Sequence, residues 1–266
     1  MKAITKYLKK RKEAITFLLE KPQQTYTPAV FHKLRVEIKK LNAFFELINF
    51  CSKDFKRKKT FKPFKLIFSQ AGKVREFQVE EAMLKKYFLN TLLTNYRVGL
   101  KQLRLKEQND FFLIVNKKFY DGLNKKYCKI MNLLKKADIK NVKSYLEKKR
   151  KLIKKLLSQD TLQTPQIHAL RKSLKTFNYN RKILDLEKNN RPLPKKEILA
   201  ELLGKWHDCQ IIIRHLKKTI DACGINPKEM NQLIKIKAKL FSKSQLVLKK
   251  IHEAIPSSEF LAEHNN

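Results

Sequence analysis

From Pro28 to Phe50 apolar residues return every three or four positions, and the same spacing continues through most of the chain. A helix turns ~100° per residue, so Leu34, Ile38, Leu41, Phe45 and Ile48 lie between ~160° and ~240° measured from His32, a single stripe. The strict alternation of a half-buried strand is rare, and only 5 of 266 residues are glycine. An all-α fold is the expectation. The spacing predicts amphipathic helices over about 2–20, 28–50, 61–89, 108–136, 142–158, 165–188, 195–221 and 227–254, with about 90–107 extending or bridging its neighbours. The segments "KPQQTYTP", "CSKDFKRKKTFKP", "NNRPLP" and "CGINP" supply the breaks.

Two of these helices repeat one pattern. His32, Leu34, Arg35, Lys39 and Asn42 recur as His168, Leu170, Arg171, Lys175 and Asn178, each 136 positions on. Both helices open on Thr-Pro. Thr27 and Thr164 are suited to accept a bond from an otherwise unpaired N–H, and Pro28 and Pro165 lack the N–H that would be orphaned there. A second signature follows each helix: Gly72, Lys73, Glu76, Gln78 and Val79 match Gly204, Lys205, Asp208, Gln210 and Ile211 at an offset of 132. Two signatures in the same order in both halves indicate internal duplication, with repeats at 1–138 and 139–266. Short connections favour two antiparallel bundles of about four helices each, related by a pseudo-twofold.

On the same wheel Arg35 falls at ~300°, Lys39 at ~340° and Asn42 at ~280°, so with His32 they form a stripe flanking the core stripe. The second copy repeats the arrangement. A basic stripe beside the core suits the wall of a groove or cavity. Arg offers a bidentate fork to phosphate oxygens, and Lys a compact charge. His32 and His168 lie about one turn into their helices, where the macrodipole is positive. A histidine there donates a hydrogen bond when neutral and adds charge when protonated.

The chain carries 61 Lys and Arg against 24 Asp and Glu, a net charge of +37. Such a field attracts polyanions. Solvated lysine-rich helix faces would account for scattered charge but not for the repeated spacing. The 42% hydrophobic content excludes a disordered polycation. Cys51, Cys128, Cys209 and Cys223 form no CxxC pair and sit beside no zinc-spaced histidines. They read as reduced, partly buried thiols. No stretch reaches the ~18 apolar residues of a membrane span. The N-terminal "MKAITKYLKKRKEAITFLLEK" contains no signal-peptide core. The expectation is a cytoplasmic protein without membrane insertion.

The pattern H-x-x-R-[VI]-x-x-K-[KR] followed by G-x-x-R-[DE], then a second copy, resembles the CHAD family of histidine-containing α-helical domains. Here the residues are His32, Arg35, Val36, Lys39 and Lys40, then Gly72, Arg75 and Glu76. The second copy has His168, Arg171 and Lys175, then Gly204 and Asp208. The resemblance runs over nearly the whole chain. It implies two four-helix bundles around a basic central cavity, binding of inorganic polyphosphate and, in some relatives, association with polyphosphate granules. The residues it assigns to binding are His32, Arg35, Lys39, Lys40, Arg75, His168, Arg171, Lys172, Lys175 and Lys205. Where the family often has Arg, three residues after the motif lysine, this chain has Asn42 and Asn178, which can hydrogen-bond phosphate without adding charge. His207 stands where the first copy has Arg75.

Three other readings compete. His207-Asp208 is an HD dipeptide, as in metal-dependent phosphohydrolases, but such sites need further His and Asp ligands, and His32, His168 and His215 have no carboxylates beside them in sequence. No catalytic residues, metal or cofactor are expected. A nonspecific nucleic-acid binder is the alternative, and "KDFKRKKTFKPFK" could hold a single strand by stacking, unless Phe61 and Phe64 pack inward. A membrane-surface role is the least economical, because bundle packing consumes the apolar faces.

Overall fold

Nine helices account for nearly all the described residues, and no strand occurs among them. The structure is a computed structural model that describes residues 2–87, 93–134, 141–159, 161–185, 198–222, 225–256, 258 and 260–261. The helices are α1 (Lys2–Leu19), α2 (Pro28–Cys51), α3 (Arg57–Tyr87), α4 (Thr94–Ile114), α5 (Lys117–Leu134), α6 (Asn141–Leu157), α7 (Thr164–Asp185), α8 (Ile198–Asp221) and α9 (Pro227–Ala254). The predicted helix ends beyond 87, 134 and 185, the predicted start before 198, the "NNRPLP" break and Cys223 lie outside the described residues.

Three local expectations need correction. The predicted helix 108–136 is two helices, because Asn116 breaks it. Its Oδ1 accepts the Phe119 N–H at 3.0 Å and caps α5, satisfying a donor that a continuous helix would bond internally. Helix α3 starts at Arg57, ahead of the predicted 61, and carries Pro63 inside. Pro63 cannot donate to the carbonyl four residues back. Burial outweighs that loss: Phe55 and Phe64 lie on either side of it, both buried, with rings 5.5 and 5.8 Å from Phe45. The threonine caps also differ. Thr27 is the N-cap of α2 and Pro28 its first residue, but the Thr27 side chain makes no cap bond; its carbonyl accepts from Val30 at 3.0 Å. Thr164 is already helical, and the cap bond is made by Gln166, whose Oε1 accepts the Gln163 N–H at 2.5 Å.

The helices form two compact units, and the divisions fall inside α3, α4, α6 and α7. Unit 1 comprises Met1–Arg75, Lys106–Leu152 and Ser173–Leu193. Its core is aromatic. Phe44, Phe45, Phe55 and Phe64 are all buried; Phe45 meets each of the other three, and Phe64 meets Tyr127 at 5.4 Å. Edge-on and tilted ring pairs of this kind add to plain area burial. Buried Asn180 donates to the Ala43 carbonyl at 2.9 Å and to the Tyr145 hydroxyl at 3.3 Å, tying α7 to α2 and α6.

Unit 2 comprises Glu76–Leu105, Ile153–Lys172 and Pro194–Asn266. It has an aliphatic core of Leu84, Leu93, Leu100, Ile212, Leu216, Leu233, Ile236 and Leu240. Of the cysteines, Cys51 and Cys209 are buried and Cys128 is exposed, so the expectation of partial burial fails for Cys128, which points outward from α5.

Candidate functional site

In unit 1 the stripe of α2 is gathered by one aromatic ring. The Arg35 guanidinium lies 4.3 Å from the centroid of Phe68 on α3, and the Lys39 ammonium lies 5.8 Å from the same ring. Arg35 Nη1 also donates to the Phe68 carbonyl at 2.7 Å. Gly72, one turn further along α3, makes this possible: a Cβ there would stand 2.2 Å from Arg35 Nη1. The glycine of the second signature thus serves the arginine of the first. Arg35 and Lys39 are half-buried and His32 is exposed at the start of the stripe. Arg75, one turn beyond Gly72, is half-buried.

Lys40 turns away from this stripe. It pairs with Glu37 at 2.6 Å, and Glu37 also pairs with Arg11. Asn42 is not open to a ligand in the way its sequence position implied, because its Oδ1 accepts from Arg57 Nη2 at 3.1 Å and Nε at 3.3 Å. Arg57 also pairs with Glu46 at 3.4 Å. An arginine from α3 thus stands beside Asn42, one turn beyond Lys39. The sequence signal for it was weak, since Arg57 sits in a run read as a loop.

Helix α7 passes from unit 2 to unit 1 between Lys172 and Ser173, so His168, Arg171 and Lys172 belong to unit 2 and Lys175 to unit 1. His168 packs on α8, its ring 4.9 Å from Trp206 and 5.4 Å, edge-on, from His207. Burial, then the charges of Arg171 and Arg214, hold His168 below its ordinary value. It is a neutral hydrogen-bonding group near pH 7. Arg214, exposed on α8, belongs to this electrostatic neighbourhood, although no motif drew attention to it. The two copies differ in packing: a Cβ on Gly204 would meet nothing within 4 Å, so no arginine rests there. Lys172 is exposed, Lys175 half-buried, and Lys205 pairs across one turn with Glu201 at 2.8 Å. Such an exposed pair is worth little and leaves the lysine recruitable.

Among the described residues no three His, Cys, Asp or Glu side chains converge as a metal site. The second signature's Glu76 serves His215 instead. His215 Nε2 lies 3.1 Å from Glu76 Oε2, and Nδ1 lies 2.9 Å from Glu80 Oε2. The hydrogen bonds to Glu76 and Glu80, opposed by burial, push His215 up to about 9. Near pH 7 it is a cation donating from both nitrogens. Proximity of His215 to two carboxylates was invisible in sequence, because they lie 139 and 135 positions away. Two of the aromatics of "KDFKRKKTFKPFK", Phe55 and Phe64, are buried in the core, and Phe61 is half-buried, stacked 6.1 Å from Phe64. Among the described residues no helix is long and apolar enough to cross a membrane.

Comparison with solved structures gives a match to the crystal structure of the CHAD domain from the plant Ricinus communis, with a TM-score of 0.75 at 13% identity, covering 97% of this chain and 92% of the other. At that identity the likeness speaks for the fold. No curated protein matches the sequence. The CHAD domain family model matches residues 16–217. That match spans more than half of the residues, and the chain belongs to the CHAD domain family.

Proposed function

We propose that this protein is a noncatalytic binder of inorganic polyphosphate, or of a polyanion of similar charge density, and that the His/Arg/Lys stripes of α2 and α7 hold the phosphates. The observation that carries the reading is the gathering of Arg35 and Lys39 over Phe68, with Gly72 leaving room for the guanidinium. Lysines that serve only solubility need no such seat. A stacked, hydrogen-bonded arginine is preorganised, so less entropy is lost when it meets an oxyanion. His168, neutral and half-exposed beside Arg171, is suited to donate a hydrogen bond to a phosphate oxygen. Family membership supports the same ligand, and the duplicated bundles and basic cavity that the family implies belong to this reading. So does a place in the cytoplasm or on polyphosphate granules. Arg35, Lys39, Arg171 and Lys175 are the main charge anchors. His32, Arg75, Lys172 and Lys205 contribute, and Arg57 and Arg214 join them. Lys40 contributes least, because it already neutralises Glu37.

The test is a competition titration of long-chain polyphosphate against single-stranded DNA of equal charge, at physiological and several-fold higher salt. A shaped site predicts tighter polyphosphate binding that outlasts DNA binding as salt rises. Simple polycation behaviour predicts parallel collapse of both, and that result would make nucleic acid the leading ligand. Alanine at Arg35, Lys39, Arg171 and Lys175 should weaken polyphosphate binding far more than alanine at Lys10, Lys125, Lys235 and Lys249, four exposed lysines off the stripes. Lys149 is unsuited as a control because it pairs with Glu46. Equal losses in the two sets would point to a diffuse field.

A further inference from the structure

Unit 2 contains a cavity of about 550 Å³ whose apolar lining includes Phe77, Leu100, Leu103 and Ile225. That volume suits a small organic molecule. Its polar groups are already arranged. Glu80, fully buried, accepts from His215 Nδ1 at 2.9 Å and from the Tyr96 hydroxyl. Glu229, also buried, accepts the backbone N–H groups of Asn95 at 2.8 Å and Tyr96 at 3.1 Å, capping α4. A carboxylate has about four acceptor positions, and two on each are taken by these bonds. The half-buried donors Tyr96 and His215 are committed: the Tyr96 proton to Glu80, and the His215 protons to Glu80 and Glu76. Asn95, Asn226, Thr219 and Lys218 add donors at the lining, but the buried polar groups, Glu80 and Glu229, retain acceptor positions that a ligand donor can take.

The charges point the same way. His215 opposes Glu80 and Glu76. Glu229 has no ion pair among the described residues; it has only two N–H groups and the positive end of α4. Lys218 lines the cavity from an exposed position and is the one lysine of that lining. Gly99 supplies a separate indication. It sits inside α4, where glycine costs roughly 1 kcal/mol relative to alanine, yet a Cβ there would meet nothing within 4 Å. No neighbour requires it, and it lines the cavity. A larger side chain there would take up space at the cavity wall.

We propose that the cavity of unit 2 is a binding site for a small organic amine with an apolar body, the protonated nitrogen facing the Glu229 and Glu80 carboxylates. In a chain of net charge +37 this is a site of opposite preference to the phosphate stripes. The test is isothermal titration of the full chain with 2-phenylethylamine, 2-phenylethanol and phenylacetate. A single charge-assisted hydrogen bond at a buried carboxylate predicts roughly tenfold to a hundredfold tighter binding of the amine than of the alcohol. Gly99→Leu should abolish amine binding while leaving polyphosphate binding unchanged. Leu103→Trp, at a half-exposed lining position, is the second occluding variant if the first fails to fold. Glu229→Gln should bring the amine down to the affinity of the alcohol. Undiminished amine binding in a folded occluding variant would overturn the proposal. So would phenylacetate binding as tightly as the amine, or silence from all three compounds at millimolar concentration.

Discussion

Replacing Gly72 by alanine pits two effects of known sign against each other. Alanine inside α3 gains roughly 1 kcal/mol of helix propensity over glycine. Its Cβ would stand 2.2 Å from Arg35 Nη1 and 3.2 Å from the guanidinium carbon, so the guanidinium must leave. Leaving forfeits the 2.7 Å bond to the Phe68 carbonyl, worth about 1.5–3 kcal/mol for a charged donor. It also forfeits the contact with the Phe68 ring, worth about 0.5–1 kcal/mol at a partly exposed position. Complete displacement therefore leaves a net destabilisation of roughly 1–3 kcal/mol. In an Arg35→Ala background the clash is gone, only the propensity remains, and the same substitution should stabilise by up to about 1 kcal/mol. Gly204→Ala, with nothing within 4 Å of the new Cβ, is the internal control and should stabilise in either background. The assay is urea unfolding followed by far-ultraviolet circular dichroism for the single and double variants. If Gly72→Ala has the same sign with and without Arg35, Gly72 does not exist to seat the arginine. Polyphosphate titration of the same proteins then reads whether the seated guanidinium matters for binding.

Other outcomes follow from the same geometry. His215 is raised above its unfolded value, so its contribution is complete below about pH 6.5 and is lost as pH climbs through about 9. The decline is on the order of 3 kcal/mol, and His215→Gln should flatten it; an unchanged slope of stability against pH would remove His215 from the account. Asn116→Ala should cost about 1 kcal/mol by uncapping α5, read as a lowered urea midpoint with an unchanged m-value. His168, held low by burial and by Arg171 and Arg214, should titrate below its ordinary value in the free protein and shift upward on saturation with polyphosphate. Imidazole resonances followed by NMR would show it, and a His168 indifferent to the ligand would place phosphate elsewhere.

The architecture was legible in the residues because helical periodicity is a local property. Leu34, Ile38, Leu41, Phe45 and Ile48 can share a face only if the backbone turns through 3.6 residues per cycle, and all five are buried. The duplicated His/Arg/Lys stripe and the glycine signature were legible for the same reason, as matched spacings within one helix. Short-range spacing could not reveal partnership between helices. The Gly72–Arg35 contact, the Arg57–Asn42 bond, and the Lys40–Glu37–Arg11 cluster each depend on where side chains end up after packing. Packing also admitted Pro63 into α3, where burial of Phe55 and Phe64 outweighs one lost hydrogen bond. The compact units follow the same logic: each draws on three stretches of chain, because the core forms among surfaces that meet in space whatever their order in sequence. Composition and periodicity by themselves determined a basic, all-helical chain with a repeated His/Arg/Lys spacing. Only the tertiary structure decided which cations are seated, which are neutralised, and that His215, Glu76 and Glu80 meet at all, because burial and charge pairing are properties of neighbours in space.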